Sequence, residues 1–192
     1  MSSTLQRVRF TASEYTRMAS ILAGRRTELI DGEVIEMAPI GTAHLVVVDR
    51  LERHLARLKA EGRLQSGQPV RIRDYDEPQP DLSVLHAPLG LRKPTATDCR
   101  LLIEVSDSTY TTDRAVKVPR YLAAGIPEVW LVNISDHRNP SLEKWTPGAL
   151  EPTIAREVVN AAGIEIPLAA IFDRLAEIPW EEELGAYDQD DR

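Results

Sequence analysis

The sequence predicts an α/β domain: a mixed β-sheet flanked by helices, with a hairpin near the N-terminus. Three observations predict it. Leu101-Leu-Ile-Glu-Val-Ser106 and Glu128-Val-Trp-Leu-Val-Asn133 are nearly continuous apolar runs, as in strands buried on both faces. Val48, Leu51, Leu55 and Leu58 recur at spacings of 3, 4 and 3, which stacks them on one face of a helix. Glu28 to Met37 reads as two short strands around Asp31-Gly32, residues suited to a tight hairpin turn.

Taken in order, Thr11-Ala-Ser-Glu14 has the form of a capping box and predicts a short helix through Ile21. The hairpin follows, and Pro39, Gly41 and Thr42 end it. A helix is expected over Ala43–Ala60, with His44 on its apolar face and Arg50, Arg53 and Arg57 turned to solvent. Val70–Arg73 alternates like a strand, and Asp81–Leu85 begins another after a turn-rich stretch. The segment from His86 to Thr97, with Pro88, Gly90 and Pro94, is a loop. After the Leu101–Ser106 strand, Asp113 is a candidate N-cap for a helix to Ala124, and Gly125 suits its C-terminal end. Pro119 within that segment implies a kink or a late helix start. Ser141–Thr146 alternates like an antiparallel neighbour of the Glu128–Asn133 strand, a last strand is expected near Ile154, and Leu168–Leu175 forms a short helix.

The length of 192 residues fits one domain, and 43% hydrophobic with 28% charged residues excludes disordered and coiled-coil architectures. No apolar run approaches the roughly 18 residues of a membrane span. The first ten residues lack a signal-like apolar stretch, and Cys99 is the single cysteine, so a cytoplasmic protein without disulfides is expected. The net charge is −7, of which −5 lies between Glu181 and Arg192. Residues 1–180 are therefore read as one domain, followed by an acidic, solvated and mobile tail at 181–192. Asp49 to Arg73 carries a net +4, so charge neither indicates nor excludes a nucleic-acid partner.

No dinucleotide-binding glycine motif, phosphate-binding loop, nucleophile elbow or metal-binding histidine spacing is present. What remains is a set of acids in unusual places. Glu104 interrupts an apolar strand, where an ionised carboxylate is costly without a partner or a metal. Asp81 opens a strand directly after Pro80. If those strands are adjacent, both carboxylates converge on one site, and two carboxylates plus a backbone carbonyl suffice for Mg²⁺, which keeps several of its waters. Lys117 lies one turn after Asp113, with Tyr121 a further turn along the same face. A lysine beside such a metal would orient or deprotonate a water. Each of these residues alone has an ordinary structural explanation; the combination carries the argument.

Pro80-Asp81 followed by Glu104-Val-Ser106 resembles the Pro-Asp…(Asp/Glu)-x-Lys nuclease motif, with Ser106 in place of the lysine. More closely, the chain resembles the Uma-two (Uma2) family of restriction-endonuclease-like proteins. The matching features are Glu28-Leu-Ile-Asp-Gly-Glu33, His44, Gln79-Pro-Asp81, Ile103-Glu-Val-Ser106, Asp113, Lys117 and Tyr121-Leu-Ala-Ala-Gly-Ile-Pro-Glu-Val-Trp-Leu-Val132, in order from about Phe10 to Leu175. The resemblance implies a restriction-endonuclease-like core and metal-dependent phosphodiester hydrolysis. It implies Asp81 and Glu104 as ligands of Mg²⁺, or of Mn²⁺ as a substitute. Lys117 would stand in for the missing lysine, and Glu28, His44, Ser106 and Tyr121 would line the site.

The expected function is therefore that of a Mg²⁺-dependent endodeoxyribonuclease acting on DNA as a homodimer, since two-fold symmetry suits cleavage of both strands. Two alternatives stand beside it. One is a catalytically inactive nuclease fold that binds nucleic acid or protein; the other is a phosphoesterase acting on small nucleotides.

Overall fold

The computed structural model describes residues 7–178. Helix α1 (Ala12–Arg17) starts at the expected capping box: Thr11 Oγ1 accepts from the Glu14 N–H at 3.2 Å, and the Glu14 carboxylate accepts from the Thr11 N–H at 2.8 Å. The helix stops short of Ile21. Strands β1 (Thr27–Ile30) and β2 (Glu33–Glu36) form the N-terminal hairpin, with Ile30 paired to Glu33. Asp31 and Gly32 between them have φ of 52° and 76°, the two left-handed positions that a two-residue turn of this kind needs.

The predicted long helix is two pieces, α2 (Thr42–His54) and α3 (Ala56–Ala60), broken at Leu55 with φ −92° and ψ 12°. Its buried stripe runs through Ala43, Val47, Leu51, Leu55 and Leu58; Val47 is the fully buried residue and Val48 only flanks it. Arg53 and Arg57 do face solvent. Arg50 does not stand free: its guanidinium donates to the Ile171 carbonyl at 2.9 Å and ties α2 to the C-terminal helix.

Strands β3 (Leu64–Ser66), β4 (Leu82–Leu85), β5 (Cys99–Ser106), β6 (Val129–Asn133), β7 (Ser141–Trp145) and β8 (Thr153–Ile154) make one six-stranded sheet in that order. All neighbours are antiparallel except β5 and β6. A parallel pair needs a crossover, supplied by α4 (Tyr110–Thr112), a π-helical turn at Asp113–Lys117 and α5 (Val118–Ala123). β5 and β6 are central, which explains their unbroken apolar runs. One sheet face packs Leu82, Ile103, Trp130 and Val132 against the α2 stripe; the other packs Leu102 and Leu131 against Val118 and Tyr121 of α5.

Val70–Arg73 does not join the sheet. Val70 and Ile72 are buried as alternation predicts, but only isolated bridges form, Arg71 with Thr95 and Arg73 with Asp76. Proline explains it: Pro78, Pro80 and Pro94 lack the N–H groups that a continuous ladder requires. A second hairpin, β9 (Val158–Ala161) with β10 (Ile164–Pro167), was not evident in the sequence pattern, and it closes the α2 face together with α6 (Leu168–Phe172). Among the described residues no helix is long and apolar enough to cross a membrane. The expected tail at 181–192 lies outside the described residues.

The β1–β2 turn is testable. An alanine at position 32 would have to hold φ near +76° with its Cβ 2.7 Å from Arg9 Cβ. Gly32→Ala should therefore lower stability by about 1–2 kcal/mol from left-handed strain alone. The expected reading is a lower urea midpoint at unchanged m-value.

Candidate functional site

Asp81 is the residue immediately before β4. The β4–β5 register pairs Leu82 with Ile103, and one further antiparallel step sets Asp81 opposite Glu104. Directly opposed residues have Cβ atoms about 4.5–5.5 Å apart, so the pairing places both carboxylates at one end of the sheet. Asp81 Oδ2 accepts from the Val105 N–H at 2.7 Å, extending the ladder with a side chain where the strand has ended. Oδ1 meets His44 Nε2 at 3.0 Å, from the first turn of α2. His44 Nδ1 is buried without a hydrogen-bond partner.

Glu104 is 3% exposed on the α5 side of β5. Its Oε1 accepts from the Tyr121 hydroxyl and lies 3.5 Å from Lys117 Nζ. Lys117 is itself buried. Its ammonium also sits 3.2 Å from Glu28 Oε2 and 3.5 Å from Asp113 Oδ1. Glu28 comes from β1, where its Oε2 also accepts from the Gln79 N–H at 3.3 Å. Asp113 Oδ2 accepts from Ser106 Oγ at 2.7 Å and from Thr109 Oγ1 at 2.6 Å. Ser106, the residue at the motif's lysine position, thus holds the aspartate that in turn holds Lys117.

The local chain path follows from Pro119. It has no N–H to return to the carbonyl four residues back, and its ring crowds that carbonyl. The preceding turn widens instead: the Val118 N–H reaches the Asp113 carbonyl five residues back, a π turn. Lys117 and Tyr121, one turn apart on either side of the proline, both reach Glu104 Oε1. The expected kink is this bulge, and it does not carry Lys117 out of the site. Asp113 is no N-cap, because the helical path begins earlier, at Tyr110.

Charge is unbalanced here. Glu28, Glu104 and Asp113 surround one lysine, and Asp81 adds a fourth acid beside Glu104. Burial pushes the Glu104 carboxyl well above its ordinary value; Lys117 pulls the other way, while Asp113, Asp81 and Glu28 add to the rise. Burial by itself would lower the Lys117 ammonium, but Glu104, Glu28 and Asp113 together hold it above its ordinary value. The Tyr121 hydroxyl is raised by burial and by Glu104, so it stays a donor. Lys117 is thus held as an ammonium, a hydrogen-bond donor.

Glu28, His44, Asp81, Glu104, Asp113 and Lys117 line a cleft of about 540 Å³, together with Asp107 and His137. Among the described residues no three His, Cys, Asp or Glu groups form a ready metal cage. The donor chemistry nevertheless fits a hard divalent cation. Asp81 and Glu104 offer only oxygens, each carboxylate has lone pairs beyond those its protein donors use, and the surplus negative charge favours a further cation.

Of the expected site residues, Asp81, Glu104, Lys117, Glu28 and His44 line the cleft, whereas Ser106 and Tyr121 do not: both are fully buried and reach it only through Asp113 and Glu104. Asp81 is held by His44 and Val105 rather than by Lys117. Sequence reasoning missed Asp113 as a site residue by reading it as a cap. Its signal was present in its position four residues before Lys117 and in the nearby hydroxyls of Ser106 and Thr109.

The profile of the Uma2 family, described as "Putative restriction endonuclease", matches residues 12–174. No curated protein matches the chain. Among solved structures, a putative nuclease belonging to DUF820 from Anabaena variabilis superposes with a TM-score of 0.66 at 16% identity, over 86% of this chain and 99% of that one. At that identity the likeness is one of fold.

Glu104 should limit stability. In the unfolded chain it ionises near 4.5, whereas the folded site keeps its proton to higher pH. The folded state therefore binds more protons in that window, and stability falls as pH rises through it. Glu104→Gln, which lacks that penalty, should melt higher than the parent at pH 8, with the difference shrinking toward pH 4.5 in thermal scans. An equal offset at all pH values would contradict the assignment.

Proposed function

The chain belongs to the Uma2 family, and from that premise we propose a Mg²⁺-dependent endonuclease that hydrolyses phosphodiester bonds in DNA. The observation that carries the proposal is the junction of Asp81, Glu104 and Lys117 from three separate elements at the floor of one cleft. The position of Lys117 supports it as the replacement for the lysine that Ser106 displaces from the motif.

Asp81 and Glu104 would hold the metal, with Mn²⁺ as a substitute. Bound there, the ion would supply Lewis-acid stabilisation of charge on the phosphate. The remaining work falls to the chain. The Lys117 ammonium would donate to the attacking water and to the non-bridging phosphate oxygens, where negative charge builds. The water oxygen would form the new P–O bond and release its proton to solvent, the bond from phosphorus to the departing sugar oxygen would break, and that oxygen would take a proton from solvent. Glu28 and Asp113 would hold Lys117 in place, while Tyr121 and His44 would orient the two acidic ligands. A homodimer would place two such clefts for both strands of a duplex. The buried, lone Cys99 is consistent with a reducing cytoplasm.

A second reading, a nuclease fold kept only for binding, draws on one observation. The four acids already have protein donors and no metal cage is preformed among the described residues.

Plasmid nicking with Mg²⁺ or Mn²⁺ decides between them. Asp81→Ala and Glu104→Ala should abolish cleavage. Lys117→Met should lower the rate by roughly 10²–10³-fold, the scale of losing one charge-stabilising donor. Cleavage that survives both acid substitutions would eliminate this mechanism; a parent inactive with both metals would favour the binding-only reading.

A further inference from the structure

The hydrolytic reading leaves one wall of the cleft without a role. β1 pairs Glu28 with Ile35, and the Met37 N–H donates to the Arg26 carbonyl at 2.8 Å, continuing the hairpin one step outward. Side chains paired across strands share a face, and so do residues two apart along a strand. Arg26, Glu28, Ile35 and Met37 therefore lie on one hairpin face, and all four line the cleft. Pro39 and Ile40 continue the lining toward His44. The face that delivers the Glu28 carboxylate to Lys117 thus sets an apolar wall beside it. Ile35 and Ile40 are each 40% exposed.

Phosphate gains nothing from such a wall. Within a base-paired duplex the bases stack on one another, and the outer surface offered to the cleft is sugar and phosphate. An unstacked base, by contrast, has apolar faces, and proteins that take up such bases hold them between aromatic or aliphatic side chains. A nucleotide joins its base to its phosphate at short range, so wall and floor fit one nucleotide. The cleft volume of about 540 Å³ lies within the ~300–1,000 Å³ of small-ligand pockets. In the basic stretch of α2 and α3, Arg53, Arg57 and Lys59 are paired with Asp49, Glu61 and Glu52, which offsets part of their charge. Arg26, at the cleft mouth, forms no ion pair among the described residues and makes only a 3.4 Å contact to the Ala38 carbonyl.

We propose that the cleft takes an unpaired nucleotide, in single-stranded DNA or extruded from a duplex, with its base on the Ile35–Met37–Ile40 wall and Arg26 on a flanking phosphate. This rests on the hydrolytic reading above and narrows its substrate. Fluorescence-anisotropy titrations with chelator present, so that nothing is cut, test it on three labelled DNAs: a single strand, a blunt duplex and the same duplex with one unpaired nucleotide. The single strand and the bulged duplex should bind at least about tenfold more tightly than the blunt duplex, the scale of one base contact. Ile40→Ser and Met37→Ser should remove most of that preference. Arg26→Ala should weaken all three DNAs alike and reduce the salt dependence by about one phosphate contact. Equal or tighter binding of the blunt duplex, or a preference that persists in both wall variants, would overturn the proposal. Cleavage of the same DNAs with Mg²⁺ reads the hydrolytic assignment separately: a preference in binding without cleavage leaves the wall standing and removes the nuclease.

Discussion

A buried ammonium survives in a protein interior only where the charge around it offsets the water it has lost. Lys117 meets that condition with Glu28, Glu104 and Asp113, all within 3.5 Å and each from a different part of the chain. Those contacts join the N-terminal hairpin, the central strand β5 and the crossover helix at one point. The arrangement also leaves more acid than base, which adds to the rise that burial imposes on Glu104.

Much of the surrounding structure keeps this point in register. The π turn that Pro119 enforces is fixed from the far side by Glu143 of β7, whose Oε1 accepts from the Tyr110 hydroxyl at 2.6 Å and whose Oε2 lies 3.3 Å from Arg114 Nε. Ser106 and Thr109 fix Asp113 from the near side. These hydrogen bonds fix the start of the turn that ends at Lys117.

The hairpin does two things with one alternation. Period two along β1 sends Glu28 inward, and cross-strand pairing brings Ile35 to the same face. Carboxylate and aliphatic surface therefore arrive together. On the proposed reading, a cation held by the acidic floor would address the phosphate and the wall would address what the phosphate carries.

Read alone, the chain determined its α/β class, the two central strands, the α2 stripe, the Asp31-Gly32 hairpin and five residues that line the cleft, Asp81, Glu104, Lys117, Glu28 and His44. Each follows from local signals: apolar continuity, helical spacing, turn chemistry and an ordered set of motifs. Other features needed tertiary structure. Val70–Arg73 alternates like a strand, yet prolines on neighbouring segments denied it a ladder. The β9–β10 hairpin has no clean period, and Asp113 looked like a cap until the helix began three residues earlier, at Tyr110. Above all, no spacing along the chain states that Asp81 faces Glu104 or that Lys117 reaches back to it. Strand register and the π turn decide those distances, and both arise from pairings between residues far apart in sequence.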